Sequence, residues 1–136
     1  MKFNNYEYLR PNYEEYRTEF SKALQQLSEA TSIESATAAV SHLNKLRVQV
    51  ETAYNLATIR YSIDTNDTFY EEEDQFWNDY QPHFQGLDFE FYQTLLASPL
   101  LAALKEHFPA TLFLYAQSRI KTFHPDLIPL FQAENQ

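Results

Sequence analysis

The sequence predicts an all-α fold: an antiparallel bundle of five to six long amphipathic helices with no sheet, forming a single domain over residues 1–136. Three observations carry this. Apolar residues recur at steps of three and four along most of the chain, the period of one helix face. Short polar residues stand before these stripes, and at Asn12 and Thr31 a Glu follows three residues on, the pattern of a capping box. Gly86 is the one glycine in the chain, so the positive-φ turns that hairpins need are nearly absent.

After an extended N-terminal arm, Asn12 with Glu15 caps the first helix, preceded by Pro11. Its stripe is Tyr13, Tyr16, Phe20, Leu24 and Leu27, and "ATS" ends it. Thr31 with Glu34 opens a second, longer helix, striped by Ile33, Ala36, Val40, Leu43, Leu46, Val50, Ala53 and Ala57. At ~1.5 Å per residue, roughly 30 residues span about 45 Å.

"DTND" breaks the chain next, and Asn66 or Asp67 is the expected N-cap of a third helix. Phe69, Phe76, Tyr80, Phe84, Leu87, Phe91 and Leu95 form its stripe. Pro82 lies inside it, lacking an N–H and crowding the preceding turn, so a kink or a boundary is expected near Gln81. Ser98 is the expected cap of a short helix with Pro99 at its first position, running through Leu101, Leu104 and Phe108. Pro109 starts another, carrying Leu112, Tyr115, Ala116, Ile120 and Phe123; Pro125 opens a last helical turn that Pro129 weakens.

Composition narrows the chemistry. The absence of cysteine removes disulfides, thiolate nucleophiles and Cys-ligated zinc, and fits a reducing compartment. No apolar run approaches a membrane span, and "MKFNNYEYLR" lacks the apolar core of a signal peptide. A soluble, cytoplasmic protein is expected. Between Tyr61 and Leu104 there is no Lys or Arg, against Asp64, Asp67, Glu71, Glu72, Glu73, Asp74, Asp79, Asp88 and Glu90. Those acids account for the net charge of -9, since the remaining acids and bases cancel. Such a segment repels phosphates, so neither nucleic acid nor an anionic membrane is an expected partner.

No catalytic or metal residue is assigned. His42, His83, His107 and His124 include no pair at i, i+4, and none precedes a Glu, so the His-Glu-x-x-His pattern of zinc hydrolases is missing. A calcium loop from Asp64 would need glycine at its sixth position and Glu at its twelfth; the chain has Phe69 and Gln75. Glu71, Glu72, Glu73 and Asp74 instead read as the solvated start of a helix, where negative charge meets the positive end of the dipole. Asp79, Asp88 and Glu90 lie among aromatic residues, but acids between core stripes ordinarily face solvent. Serines lack nucleophile-elbow glycines, and no glycine-rich phosphate loop exists. Arg60 stands out at the end of the longest helix, four residues before Asp64 and seven before Asp67. The three form either a local surface ion pair or a buried bidentate pin across the turn.

"NLATIRYSIDTNDTFYEEEDQFWND", with "MKFNNYEYLRPNYEEY", "NKLR" at 44–47 and "QSRIKTFHPDLI", resembles the N-terminal helical region of oligoendopeptidase F and its thimet-type zinc oligopeptidase relatives. The "IR-x-SIDT-x-D-x-FY" stretch is the most specific part, and the resemblance runs over essentially the whole chain. It implies a cytoplasmic, all-α protein in which zinc, bound by His-Glu-x-x-His and a later Glu, cleaves short peptides in a channel between helical lobes. Those ligands lie downstream in the family, so the resemblance implies a chain inactive alone. Its partner would be a C-terminal catalytic lobe, which the Arg60, Asp64 and Asp67 pin would contact if it is not purely structural, and Met1 would place the missing part C-terminally. The alternative is a free-standing helical interaction module, covering an exposed apolar face as a homodimer.

Overall fold

The computed structural model describes residues 8–122. They form five helices: α1 (Tyr13–Glu29), α2 (Ile33–Ile63), α3 (Thr68–Leu96), α4 (Leu101–His107) and α5 (Ala110–Thr122). No strand occurs among the described residues. The helical turn expected at Pro125, with Phe123 and Pro129, lies outside them.

Side-chain contacts give the direction of packing. His42 meets Glu19 across α1 and α2. Tyr54 meets Trp77, and Arg47 meets Asp88, across α2 and α3. From the first of these α2–α3 contacts to the second one number falls as the other rises, so α2 and α3 run antiparallel. Tyr13 and Tyr16 both pack on Phe84, which sets α1 beside α3. Tyr92 against Tyr115 lays α5 along the last turns of α3. The core runs between these helices, with Phe20, Val40, Leu43, Phe91, Leu95 and Leu104 fully buried. A fully buried aliphatic or aromatic side chain stabilises by about 1.5–3 kcal/mol relative to exposure.

The helix starts depart from the sequence reading in detail. Asn12 caps α1 as expected, its Oδ1 accepting from the Glu15 amide at 3.1 Å. At α2 the cap is Ser32, not Thr31: the Ser32 hydroxyl accepts from the Ser35 amide. Both residues are short hydroxyl caps, and the last extended φ/ψ before the helix belongs to Ser32. Asp67, rather than Asn66, caps α3 through the Tyr70 amide at 3.1 Å.

Ser98 and Pro99 lie before α4 instead of opening it. The Ser98 hydroxyl accepts from the Leu100 amide, closing a turn from which the helix starts at Leu101. Pro82 makes no helix boundary, because α3 continues on both sides of it. Its ring is buried, and that packing on a long helix offsets part of the cost of the one backbone bond it cannot make.

Face assignments shift too. Trp77, not Phe76 or Tyr80, enters the core in the first half of α3, and Phe69 is about half exposed. On α5, Phe113 is buried while Tyr115 is exposed. Both shifts exchange an aromatic for its neighbour on an adjoining face, which a stripe of rings on both sides allows.

Candidate functional site

Two polar constellations interrupt the apolar packing. The first joins the N-terminal arm to α3. Glu73, expected to be solvated, is 4% exposed. Tyr8 donates its hydroxyl proton to Glu73 Oε1 at 2.6 Å, and Arg10 Nε donates to the same oxygen at 3.0 Å. Arg10 reaches the second oxygen with its terminal nitrogen, making a bidentate pair. Trp77 Nε1 donates to the Tyr8 oxygen at 3.0 Å, and the Arg10 guanidinium lies 4.5 Å from the Phe76 ring centroid. Burial alone would raise the Glu73 carboxyl, but the bonds from Arg10 and Tyr8 outweigh it and hold it below its ordinary value. Burial, then the bond to Glu73, pushes the Tyr8 hydroxyl well above its usual range.

Arg60, Asp64 and Asp67 flank this latch. The Arg60 guanidinium lies over the Tyr8 ring, 5.8 Å from its centroid. Asp64 Oδ1 accepts from the Asn66 amide at 3.1 Å, folding the turn, while Asp67 caps α3. The sequence thus brings the carboxylates into backbone roles and the arginine onto the arm. Leu9, Ile63 and Phe69 are exposed on these same segments.

The second constellation lines a cleft of about 250 Å³ between α2, α3 and α5. Arg47, Glu51, Tyr54 and Asn55 come from α2, Trp77, Gln81, Phe84, Gln85 and Asp88 from α3, and Tyr115 and Arg119 from α5. Arg47 is fixed from three sides. One terminal nitrogen donates to Asn44 Oδ1 at 3.1 Å, the other donates to the Tyr92 hydroxyl, and the guanidinium lies over the Tyr92 and Phe91 rings. Its Nε sits 3.3 Å from Asp88 Oδ1 as an ion pair. Burial raises the Asp88 carboxyl to about 6, against the pull of the Arg47 and Arg119 charges; Glu51 pushes it further up.

Sequence reasoning missed Glu73, Arg10 and Tyr8 as a unit, and missed the Arg47–Asp88 pair. Trp77 one turn after Glu73 was the available signal for the first. For the second it was Asp88 between Leu87 and Phe91, both members of the core stripe. Among the described residues, no group of three or more His, Cys, Asp or Glu is placed to hold a metal ion. His42 faces Glu19 at 3.1 Å, and His83 packs against Tyr13 and Tyr80. No helix is long and apolar enough to cross a membrane among these residues.

The family model for the peptidase M3 N-terminal domain matches residues 3–123. Three solved structures resemble the chain at 35% identity and TM-score 0.91. One is PZ peptidase A with an inhibitor, where the likeness covers 98% of this chain and 24% of that chain. A second, described as an oligoendopeptidase F, is covered over 24% by 99% of this chain. A third, from Bacillus anthracis and also described as an oligoendopeptidase F, is covered over 25%. The chain therefore spans about a quarter of the length of the structures it matches. No curated protein matches it.

Proposed function

The chain belongs to the peptidase M3 N-terminal domain family, and from that premise we propose that it is the non-catalytic helical portion of a zinc-dependent oligoendopeptidase. In this reading it forms one wall of the channel in which short peptides are cleaved, in the cytoplasm. The observation that supports it is the mismatch in coverage: nearly all of this chain, but about a quarter of each matched structure, superposes. The described residues do not fit zinc, since they offer no cluster of ligands. The metal and the hydrolytic step belong to the partner, a C-terminal catalytic lobe.

The end of the bundle at the α2–α3 turn is the face we assign to that lobe. Leu9 and Ile63 are 70% and 71% exposed on the arm and the end of α2, and Phe69, whose ring meets Tyr8 of the arm, is half exposed. Arg60, Asp64 and Asp67 supply polar groups on the same segments. A covered apolar patch rimmed by charge is the usual form of such a contact.

Two measurements test the reading. The reading frame of the gene beyond Gln136 is expected to encode His-Glu-x-x-His, and a frame without it overturns the assignment. The purified chain is expected to hydrolyse no fluorogenic peptide with or without zinc. Zinc-dependent turnover by the clean 136-residue protein contradicts the non-catalytic role.

A further inference from the structure

The cleft between α2, α3 and α5 contains two guanidinium groups and a partly buried carboxylate beside them. Asp88 is faced by Arg47 and Glu51 from α2, by Arg119 and Tyr115 from α5, by Tyr92 on its own helix, and by Tyr16 from α1. Charges in the cleft balance, with Arg47 and Arg119 against Asp88 and Glu51. An anion entering this balanced set is bound most tightly when one of those acids gives up its charge. Asp88 is the acid poised to do so, because burial already disfavours its ionised form.

The geometry suits such an exchange. Arg47 is held in place by Asn44 and Tyr92 independently of Asp88, so it stays oriented when Asp88 becomes neutral. Its Nε sits 3.3 Å from Asp88 Oδ1, the contact that weakens when Asp88 takes up a proton. Beside the charges, the amide groups of Asn55, Gln81 and Gln85 can each donate to and accept from a peptide main chain. The rings of Tyr54 and Tyr115 supply apolar walls.

We propose that this cleft binds the C-terminal end of a short peptide, its carboxylate held by Arg47 and Arg119 while Asp88 takes up a proton. The inference rests on the reading of the chain as a wall of a peptide channel and adds a specific seat on that wall. The balance is simple: one carboxylate enters, one proton binds Asp88 from solvent, and no covalent bond changes. Linkage then requires affinity to fall with rising pH, approaching tenfold per unit above the Asp88 titration.

The experiment is a calorimetric or NMR titration of the 136-residue chain with N-acetylated trialanine, the N-acetylated trialanine amide and an N-acetylated internal-glutamate peptide amide, at pH 6 and pH 8, so that no peptide amino group titrates in that window. Acetylated trialanine is expected to bind at least tenfold more tightly at pH 6, with proton uptake, and the amides at least tenfold more weakly than acetylated trialanine. Asp88→Asn is expected to keep binding and lose the pH dependence. Arg119→Gln is expected to lose binding, with Arg119→Lys restoring part of it and helical content unchanged in both. Equal binding of acetylated trialanine and its amide overturns the proposal, as does pH dependence that persists in Asp88→Asn. Equal binding of the internal-glutamate peptide overturns the assignment to a chain terminus. Failure here leaves the coding of His-Glu-x-x-His beyond residue 136 unaffected, so the two readings fail separately.

Discussion

Arg10 and Glu73 are 63 residues apart and form a bidentate ion pair whose acid is buried and whose base is half exposed. The asymmetry decides which partner is more costly to remove. Without Arg10, a buried carboxylate is left with Tyr8 as its remaining donor; without Glu73, Arg10 turns to water. Arg10→Ala is expected to destabilise by about 1–3 kcal/mol, and Glu73→Gln by less. Urea denaturation of both variants checks the order, and a reversed order would show that the pair is solvated.

Glu73, which is buried, and Asp88, which is partly buried, predict opposite responses to pH. Glu73 is held below its ordinary value, so its stabilisation is present at neutral pH and lost as pH falls through its depressed titration, below 4.5. Asp88 is raised from 3.8 to about 6, so its ionised form weakens the fold above that pH. Stability from Asp88 therefore rises as pH falls from about 6 toward 3.8. Urea midpoints at pH 7, 5 and 3.5 are expected to show the rise disappear in Asp88→Asn and the acid loss shrink in Glu73→Gln. Unchanged profiles in both variants would refute the assignment.

Pro82 is buried inside α3, where it cannot donate the usual backbone hydrogen bond. Replacing it by Ala restores the donor and removes a cost of up to about 3 kcal/mol, while losing part of a buried ring. Pro82→Ala is expected to stabilise by about 1–2 kcal/mol and to raise the thermal midpoint. A lower midpoint would mean that ring packing outweighs the backbone defect.

Asp67 and Asn66 separate as candidates for the α3 cap. Asp67→Ala is expected to cost about 1 kcal/mol and Asn66→Ala distinctly less, because the Asp67 side chain accepts the Tyr70 amide proton. Equal losses would place the cap elsewhere.

Helix existence was legible from the sequence because period and caps act locally: the Tyr16–Phe20–Leu27 and Val40–Leu43–Leu46 steps point to the faces that are buried. Which aromatic faces inward was less legible. Phe69, Phe76, Trp77 and Tyr80 cover more than one side of α3, and the choice of Trp77 depends on Tyr8 and Tyr54, distant in sequence. The same holds for the polar constellations. Glu73 sits among three other acids with the same local signature, and only the returning arm distinguishes it. Asp88 is distinguished by Arg47, whose position follows from the antiparallel pairing of α2 with α3. Family resemblance was legible because it is carried by the turn segment, where Asp64 and Asp67 have backbone roles.

The latch between the arm and α3 also sets an order of events in folding. The α1–α2 and α2–α3 hairpins close over short connections, whereas Tyr8 must find Trp77 across 69 residues. Closing the longer loop carries the larger entropy and depends on α3 already being formed, so arm docking follows bundle formation. Trp77 is the chain's one tryptophan and touches the Tyr8 hydroxyl directly, which makes its emission a built-in clock for that final step. A stopped-flow refolding trace is expected to show helix signal before the last tryptophan change, and Tyr8→Phe to diminish that late phase.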